Sequence, residues 1–336
     1  MTSKEFAKLI GVSQSTVSRA MNKSSLVSEE KRKFIIAKAE KYNFTLNSHA
    51  KSLRTQRAGT IGILFPKHFT GLSINLMLAK LYDLIHQEMH NYDYDIMVIY
   101  YSDEDDFSSF ERIIRKRKVD GFLVMKMELS ENELMLIDSY QVPCVFMLNA
   151  GKIKRKNLNY FFSDSEYGGY VAGRYLGNFT DFQKIALIAY EELDDVEARI
   201  KGFRKGLQES GVTLSDESIM YCHLGIEPSR EFILKNQNLL HRKKTAFFSS
   251  DLQAIGVING LNVLGCNIPG DVQVLGMNDI SLASAFAPKL STLQVPAEEM
   301  VSKGCKRLVE LIDKKGGLKQ EWIKPSLMLR DTTINL

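Results

Sequence analysis

Apolar and polar positions follow two different patterns along the chain, and the change falls near residue 59. Before it, short apolar sets recur at helical spacing between polar turns, which predicts a few small helices. After it, short apolar runs rich in β-branched residues alternate with longer segments of helical periodicity. This alternation predicts parallel sheets with helices on both faces, in which ligands bind beyond the carboxyl ends of the strands.

The alternating segments of the long region can be placed one by one. Strands are predicted at residues 60–65, 95–101, 121–125, 144–148, 184–190, 245–249 and 272–277. Helices are predicted at residues 74–90, 107–118, 169–178, 196–210, 230–240 and 252–264.

Two short helices joined by a tight turn are predicted at the N-terminus. Thr2 can cap the first helix, and Glu5, three residues later, completes a capping box. Gly11 supplies the positive φ that ends this helix. Ser13 can cap the second helix through the backbone N–H of Thr16. The outward face of the second helix then consists of Gln14, Ser15, Thr16, Ser18 and Arg19.

This outward face suits the edges of bases in a major groove, where an α-helix fits and bidentate donors discriminate. An ordinary helical hairpin with a solvated polar face is the alternative. The charge distribution favours DNA, because residues 1–57 hold 12 Lys and Arg against 4 Asp and Glu, whereas the rest holds 32 against 36. A basic head on a mildly acidic body is typical of a polyanion-binding module attached to another unit.

A third helix is predicted to begin after Ser28, which can cap it and which precedes two glutamates where the helix dipole favours acids. Five residues recur at helical spacing and are expected to close a small core over the hairpin: Phe34, Ile35, Ala37, Ala39 and Tyr42. Basic side chains occupy the opposite face of this helix and add to the positive charge of the head.

Ordered motifs run through the whole chain. They are AxxxGVSxxTVSRxxN (7–22), VSEExR (27–32), NxxAxSLRTxRxxTIG (47–62), VDG (119–121), GGYVAGRYL (168–176), RxxGFRxxL (199–207), DxxAxGxxxxL (251–261), IPGDVQVLGMND (268–279) and PxLSTLQVPxxEM (288–300). In these motifs the chain resembles the lactose-repressor (LacI/GalR) family of bacterial transcription regulators. The resemblance implies a small all-α helix-turn-helix head and an α/β core of two Rossmann-like lobes, like a periplasmic binding protein.

By this resemblance the chain divides into three parts. Residues 1–45 are expected to form the DNA-binding head, 46–58 the hinge helix and linker, and 59–336 the effector-binding and dimerisation core. Lobe one is expected to span about 59–160 and 290–321, and lobe two about 161–289 and 322–336. The chain would cross between lobes near residues 159–163, 287–295 and 320–325, and residues 326–330 resemble the last strand of lobe two.

The resemblance also assigns roles in DNA binding. Gln14, Ser15, Thr16 and Arg19 are expected to read bases, and Thr2, Ser13 and Asn22 to hold phosphates. The hinge would contain Asn47, His49, Ala50 and Leu53. Leu53 would be the apolar wedge that partly unstacks a base step in the minor groove and kinks the duplex. The chain departs from the family at Leu46, where a proline is usual, and at His49, where an apolar residue is usual.

The expected effector cleft lies between the lobes. Its residues would be Phe69, Asn149, Tyr167, Arg199, Leu224, Ser250 and Asn278. By resemblance Arg199 holds the effector, because its planar fork donates two hydrogen bonds to hydroxyls or a carboxylate. Asn278 stands where sugar- and purine-binding members have an aspartate, and Leu224 where an aromatic ring usually stacks. Asp251 is expected to cap the following helix. These departures leave open whether the effector is a sugar, a sugar phosphate or another molecule.

The function expected from these observations is a dimeric repressor of a carbohydrate uptake or catabolism operon, binding near-palindromic operator DNA under the control of a small-molecule effector. The alternatives are a catabolite-control-type regulator with a phosphocarrier protein as corepressor, and a small-molecule-binding protein with an incidental helical head. No nucleophile elbow, dinucleotide loop, P-loop or metal-ligand spacing occurs, so neither an enzyme nor a cofactor is expected. The four cysteines without paired spacing and the absence of a long apolar run indicate a cytoplasmic protein.

Overall fold

The computed structural model describes most of the chain. The described residues are 1–21, 26–44, 57–66, 76–101, 107–125, 129–147, 157–179, 184–189, 194–237 and 245–334. They form a helical head and a larger α/β core with two sheets.

The head consists of helices α1 (Ser3–Leu9), α2 (Gln14–Met21) and α3 (Glu29–Lys41). Its core contains Phe6, Val17 and Ile35, each with 0% of its surface exposed. The ring of Phe44 stacks on Phe6 with 4.0 Å between ring centroids and closes the core after α3.

Three expectations for the core of the head were wrong. Phe34 is 45% exposed, Tyr42 is 40% exposed and Ala37 is also exposed, although all three were expected to close the core. In α3 the inward positions are instead Ile35 and Ala39, four residues apart on one face. The helix itself is present as predicted, but the buried face of α3 is narrower than expected.

The core contains twelve strands among its described residues, with helices between them. The first half comprises β1 (Thr60–Pro66), α4 (Leu76–Asn91), β2 (Asp95–Tyr101), α5 (Phe107–Arg115), β3 (Gly121–Val124), α6 (Glu131–Tyr140), β4 (Cys144–Phe146), β5 (Asn159–Ser163), α7 (Ser165–Gly177) and β6 (Lys184–Ala189). The second half comprises α8 (Asp194–Glu209), β7 (Ile219–Tyr221), α9 (Ile226–Lys235), β8 (Thr245–Phe248), α10 (Asp251–Val263), β9 (Val272–Asn278), α11 (Ser281–Ala285), β10 (Ser291–Gln294), α12 (Ala297–Ile312), β11 (Gln320–Ile323) and β12 (Ser326–Met328).

These strands form two sheets of six. The first has the order β11-β5-β4-β3-β1-β2 and is parallel throughout. The second has the order β12-β10-β9-β8-β6-β7, with β12 antiparallel to β10 and the other pairs parallel. The predicted α/β class with parallel sheets is therefore present, in two separate sheets that correspond to two lobes.

Sheet membership locates the crossings between the lobes. Both β5 and β11 belong to the first sheet, whereas β10 belongs to the second. Lobe one therefore includes residues 159–163 and 320–323, and residues 291–294 lie in lobe two. The approximate boundaries expected from sequence are displaced by a few residues, because the crossing segments are themselves strands.

The strands predicted from apolar runs all occur within a few residues of their expected positions. The helices not predicted were α6, α11 and α12, and the strands not predicted were β5, β7, β10 and β11. These strands are three to five residues long. Such short segments carry too few alternations to show a period, and they acquire their partners only in the folded sheet.

Candidate functional site

The turn before α2 is fixed by local contacts, as the sequence predicts. Thr2 and Glu5 form the reciprocal capping box of α1, at 2.7 and 3.3 Å. Gly11 has φ +69°, which ends the helix. The Ser13 hydroxyl accepts a hydrogen bond from the backbone N–H of Thr16 at 3.1 Å and so caps α2.

The outward face of α2 is exposed and carries no acidic group. Gln14, Ser15 and Arg19 are exposed, and Thr16 is partly exposed. The hydroxyl of Ser13 lies 2.8 Å from that of Ser15 and 2.7 Å from that of Thr16, which orders this edge of the helix. The face combines small hydrogen-bonding groups with one cation, a composition suited to a DNA groove.

Several expected DNA-contacting residues lie outside the described residues. These are Asn22 of the head and Asn47, His49, Ala50 and Leu53 of the hinge. Thr2 is described and exposed, with its hydroxyl accepting from the backbone N–H of Glu5.

In the core, Arg199 is a buried cation on α8, with 5% of its surface exposed. Its Nη2 lies 3.5 Å from Asp195 Oδ2, at the outer limit of a hydrogen bond. Its Nε is buried and has no hydrogen-bond partner among the described residues. A buried guanidinium donor without an acceptor carries a desolvation cost. A ligand that supplies a hydrogen-bond acceptor to this donor would therefore be stabilised.

Glycines bring α7 and α8 together and thereby position Arg199. A Cβ atom on Gly169 would overlap the backbone carbonyl of Arg199, and one on Gly202 would overlap the carbonyl of Glu166. The two helices pack backbone to backbone at these points. This close approach places the start of α8, with Arg199, beside the start of α7, where the chain enters lobe two.

Asn278 is the last residue of β9, at the carboxyl edge of the second sheet. Its φ is +130° and that of the next residue, Asp279, is +54°. Asp279 is held by Arg330 Nη2 at 2.7 Å and by Gln294 Nε2 at 2.8 Å. A non-glycine residue in such a conformation costs on the order of 1–3 kcal/mol and is found mainly at functional sites.

Asp251 has a different role from the one expected, and the neighbouring Ser250 is buried. Ser250 is the residue before α10 and is only 2% exposed, with its hydroxyl donating to Gln253 Oε1 at 3.0 Å. Asp251 is completely buried and does not cap the helix. Its carboxylate accepts from the backbone N–H of Ile280 at 2.8 Å and from the Thr292 hydroxyl at 2.5 Å. Burial raises the pKa of Asp251 to about 6, an effect the two donors oppose.

The other expected cleft residues are scattered around this edge. Tyr167 lies in the first turn of α7, partly exposed, with the Lys324 ammonium 4.6 Å from its ring centroid. Leu224 is 36% exposed between β7 and α9. Phe69 and Asn149 lie outside the described residues.

Ser163 was not identified from the sequence, although it lies at a similar edge. It ends β5 at the carboxyl edge of the first sheet, and its buried Oγ has no hydrogen-bond partner among the described residues. A polar residue directly after the apolar run 160–162 was the available signal. It was missed because β5 itself was not predicted.

A model of bacterial regulatory proteins of the lacI family matches residues 2–47, and a model of the periplasmic binding protein-like domain matches residues 180–333. The HTH-type transcriptional repressor PurR of Vibrio vulnificus (strain CMCP6) is 28% identical over 338 residues, covering 98% of this chain and 98% of PurR. The chain therefore carries a lacI-family helix-turn-helix domain followed by a periplasmic binding protein-like domain.

Solved structures of transcription regulators show the same fold as this chain. The lac repressor dimer bound to operator and the anti-inducer ONPF has a TM-score of 0.79 at 19% identity, covering 100% of this chain and 99% of that one. The complex of the transcriptional regulator CelR with cellobiose has a TM-score of 0.73 at 20% identity, covering 99% of both chains.

These relatives are regulators of transcription: the model that matches the head describes bacterial regulatory proteins, and PurR is a transcriptional repressor. Within the part of the chain that the structure describes, no group of three or more His, Cys, Asp and Glu side chains is placed to hold a metal ion. Among the same residues, no helix has the length and apolar character needed to cross a membrane.

Proposed function

We propose that this lacI-family repressor controls an operon for carbohydrate uptake or catabolism and that a small-molecule effector in the interlobe cleft changes its affinity for operator DNA. The observation that carries the proposal is the buried Nε donor of Arg199, which has no acceptor among the described residues. A neighbour in fold, CelR, has been solved with cellobiose bound. Hydroxyl-rich ligands supply the acceptors that such a guanidinium lacks.

The proposed cleft joins the carboxyl edges of the two sheets. Arg199 would hold the effector from α8, Asn278 would meet it at the end of β9, and Ser163 would meet it at the end of β5. Tyr167 and Leu224 would line the sides. Phe69 and Asn149 stay proposals from the sequence, and Ser250 contributes through its hydrogen bond to Gln253 rather than by direct exposure.

On the DNA side, we propose a homodimer that places two α2 helices in successive major grooves of a near-palindromic operator. Gln14, Ser15, Thr16 and Arg19 would contact bases. The hydroxyls of Thr2 and Ser13, together with Asn22, would contact phosphates. The pair of Leu53 side chains would wedge into the minor groove between the half-sites.

A ligand screen on the full-length protein tests the effector proposal. Thermal shift is measured with neutral mono- and disaccharides, sugar acids, sugar phosphates and purine bases. The compound that raises the melting temperature most is then titrated by calorimetry against the wild type, Arg199→Lys and Arg230→Lys. Arg230 is the matched control, because it lies on α9 and pairs with Glu227 at the surface.

We expect a carbohydrate to bind, and Arg199→Lys to weaken its binding by at least tenfold because lysine lacks the planar fork. Arg230→Lys should bind it like the wild type. Binding of purines alone would overturn the carbohydrate proposal. Equal binding by Arg199→Lys would remove Arg199 from the site. Tighter operator binding on addition of a phosphocarrier protein, with no response to any small molecule, would favour the corepressor alternative.

A further inference from the structure

The segment that joins the head to the core is fixed to lobe one at residues 57–59. The backbone N–H of Ala58 donates to Asp120 Oδ1 at 2.7 Å, and the N–H of Gly59 donates to Asp120 Oδ2 at 2.8 Å. Both oxygens of one carboxylate are therefore used by consecutive backbone donors. Charge-assisted bonds of this kind are among the stronger hydrogen bonds in proteins.

Backbone hydrogen bonds secure the same segment on both sides. The N–H of Asp95, at the start of β2, donates to the carbonyl of Gly59 at 2.9 Å. The N–H of Asp120, just before β3, donates to the carbonyl of Thr60 at 2.8 Å. Residues 59 and 60, where β1 begins, are therefore hydrogen-bonded to the starts of both neighbouring strands.

Arg57 extends this attachment to the end of α12. Its Nη2 donates to the carbonyl of Ile312 at 3.1 Å and to Asp313 Oδ1 at 2.8 Å. A cation at a helix C-terminus also meets the negative end of the helix dipole. The guanidinium lowers the pKa of the Asp313 carboxyl, and Lys315 Nζ lies 3.3 Å from the other oxygen of that carboxylate.

The turn after α12, which binds Arg57, is itself held in place by hydrogen bonds. Arg307 of α12 is 1% exposed and donates to Glu310 Oε2 at 3.1 Å and to the carbonyl of Lys315 at 3.2 Å. Its Nε donates to Asn159 Oδ1 of β5 at 2.9 Å. The turn after α12 is thus tied to the first sheet, so Arg57 binds a fixed surface.

We infer that Arg57, Asp120 and Asp313 form a linker clamp that fixes where each DNA-binding head leaves the core and thereby sets the spacing of operator half-sites the dimer accepts. Arg57 is a positioning residue in this account and contacts no DNA. The inference rests on the proposed homodimer on a two-half-site operator.

The physical basis is the effective concentration of the second head. Once one head is bound, the second binds intramolecularly, and its advantage is largest when the linker length and exit point match the separation of the half-sites. A fixed exit point favours one spacing and disfavours others. Loss of the Arg57 contact lengthens the free part of the linker. Binding to an operator with the matched spacing then becomes weaker, and binding to operators with other spacings becomes comparatively less unfavourable.

Operator variants provide a direct test with the full-length protein. An operator duplex is first selected by the wild type from a random-sequence pool. Affinity is then measured for that duplex, for the duplex with one base pair inserted at its centre, and for a single half-site. The proteins are the wild type, Arg57→Ala, Asp313→Ala, the double variant and Arg115→Ala. Arg115 is the matched control, because it forms a surface pair with Glu111 on α5.

We expect Arg57→Ala and Asp313→Ala each to bind the selected operator about tenfold more weakly and to lose much of the discrimination against the inserted base pair. The double variant should be little weaker than either single variant, since the two residues act through one contact. Binding to the single half-site should stay unchanged, as should every property of Arg115→Ala.

Three results would overturn the clamp. Unchanged operator affinity and unchanged spacing discrimination in Arg57→Ala would remove the positioning role. An equal loss on the single half-site would make Arg57 a DNA contact instead. Additive losses in the double variant would show that the two residues act separately. By contrast, a wild type that binds the half-site as tightly as the full operator would refute the proposed dimeric binding itself.

Discussion

The polar contacts that shape the head and those that shape the cleft edge of lobe two differ in their span along the chain. In the head, Thr2 pairs with Glu5 and Ser13 with Thr16, in both cases three residues apart. At the cleft edge, Asp251 binds Thr292, 41 residues away, and Arg330 binds Asp279, 51 residues away. The first set forms with its helices, whereas the second requires an assembled sheet.

Because of this difference, a substitution in the head and one in lobe two should have effects of different extent. A helix cap closes a small loop and stabilises only its own helix. A buried carboxylate between distant strands depends on the order of the whole sheet and has no water to replace a lost partner. We therefore expect substitutions in the head to alter the stability of the head alone. Substitutions at the carboxyl edge of the second sheet should alter the stability of all of lobe two.

The largest effect should come from the core of the head. Phe6→Ala removes a ring that is fully buried and stacked on Phe44, and should cost the head about 3–5 kcal/mol. Calorimetry should show the head unfolding at a lower temperature while the transition of the core is unchanged. Leu9→Ala, at a position 53% exposed, is the control and should change little. A coupled shift of both transitions would contradict the separation of the two regions.

The next largest effect concerns Asp251, whose pKa burial raises from 3.8 to about 6. The folded state thus binds this proton more tightly than the unfolded chain, so the stabilisation is full below pH 4 and is lost as pH rises through 6. Relative to Asp251→Asn, the free energy of unfolding of the wild-type core should fall by about 2 kcal/mol between pH 4 and pH 7.

Denaturant unfolding across this pH range measures that difference. Asp216→Asn is the control, because the Asp216 side chain is 95% exposed, and its pH profile should follow the wild type. Parallel profiles for the wild type and Asp251→Asn would show that Asp251 keeps an ordinary pKa in the folded protein.

A smaller effect is expected on the recognition face. Arg19→Ala should cost about 1–3 kcal/mol of operator binding and relax the preference at one base position in each half-site. Competition with single-base operator variants measures this change, and both unfolding transitions should be unaffected because Arg19 is exposed. If all sequences weakened equally, Arg19 would be a phosphate contact.

The smallest effect tests the local nature of the cap. Thr2→Ala removes the acceptor for the Glu5 N–H and should destabilise the head by about 1 kcal/mol. The melting temperature of the head measures it, with the exposed Lys4→Ala as control. A shift in the core transition would mean that this contact reaches beyond its own helix.

These contrasts also explain which features could be predicted from the sequence. The capping box, the glycine that ends α1 and the Ser13 cap follow from residue type and short spacing. The apolar strands β1, β2 and β9 could be placed because each is seven residues long, and β1 and β9 are buried over most of that length. The strand β5 is shorter and was missed, and with it the polar group of Ser163 at its end.

The helical head, its outward face and the α/β class of the core follow from the order of residues alone, because they depend on caps and periods that operate over a few residues. The folded structure was needed to show that Asp251 binds Thr292 and Ile280 rather than capping α10. It likewise decided that Arg57 meets Asp313, 256 residues away. Contacts of such span depend on strand order and helix packing, and the identity of either residue alone does not reveal its partner.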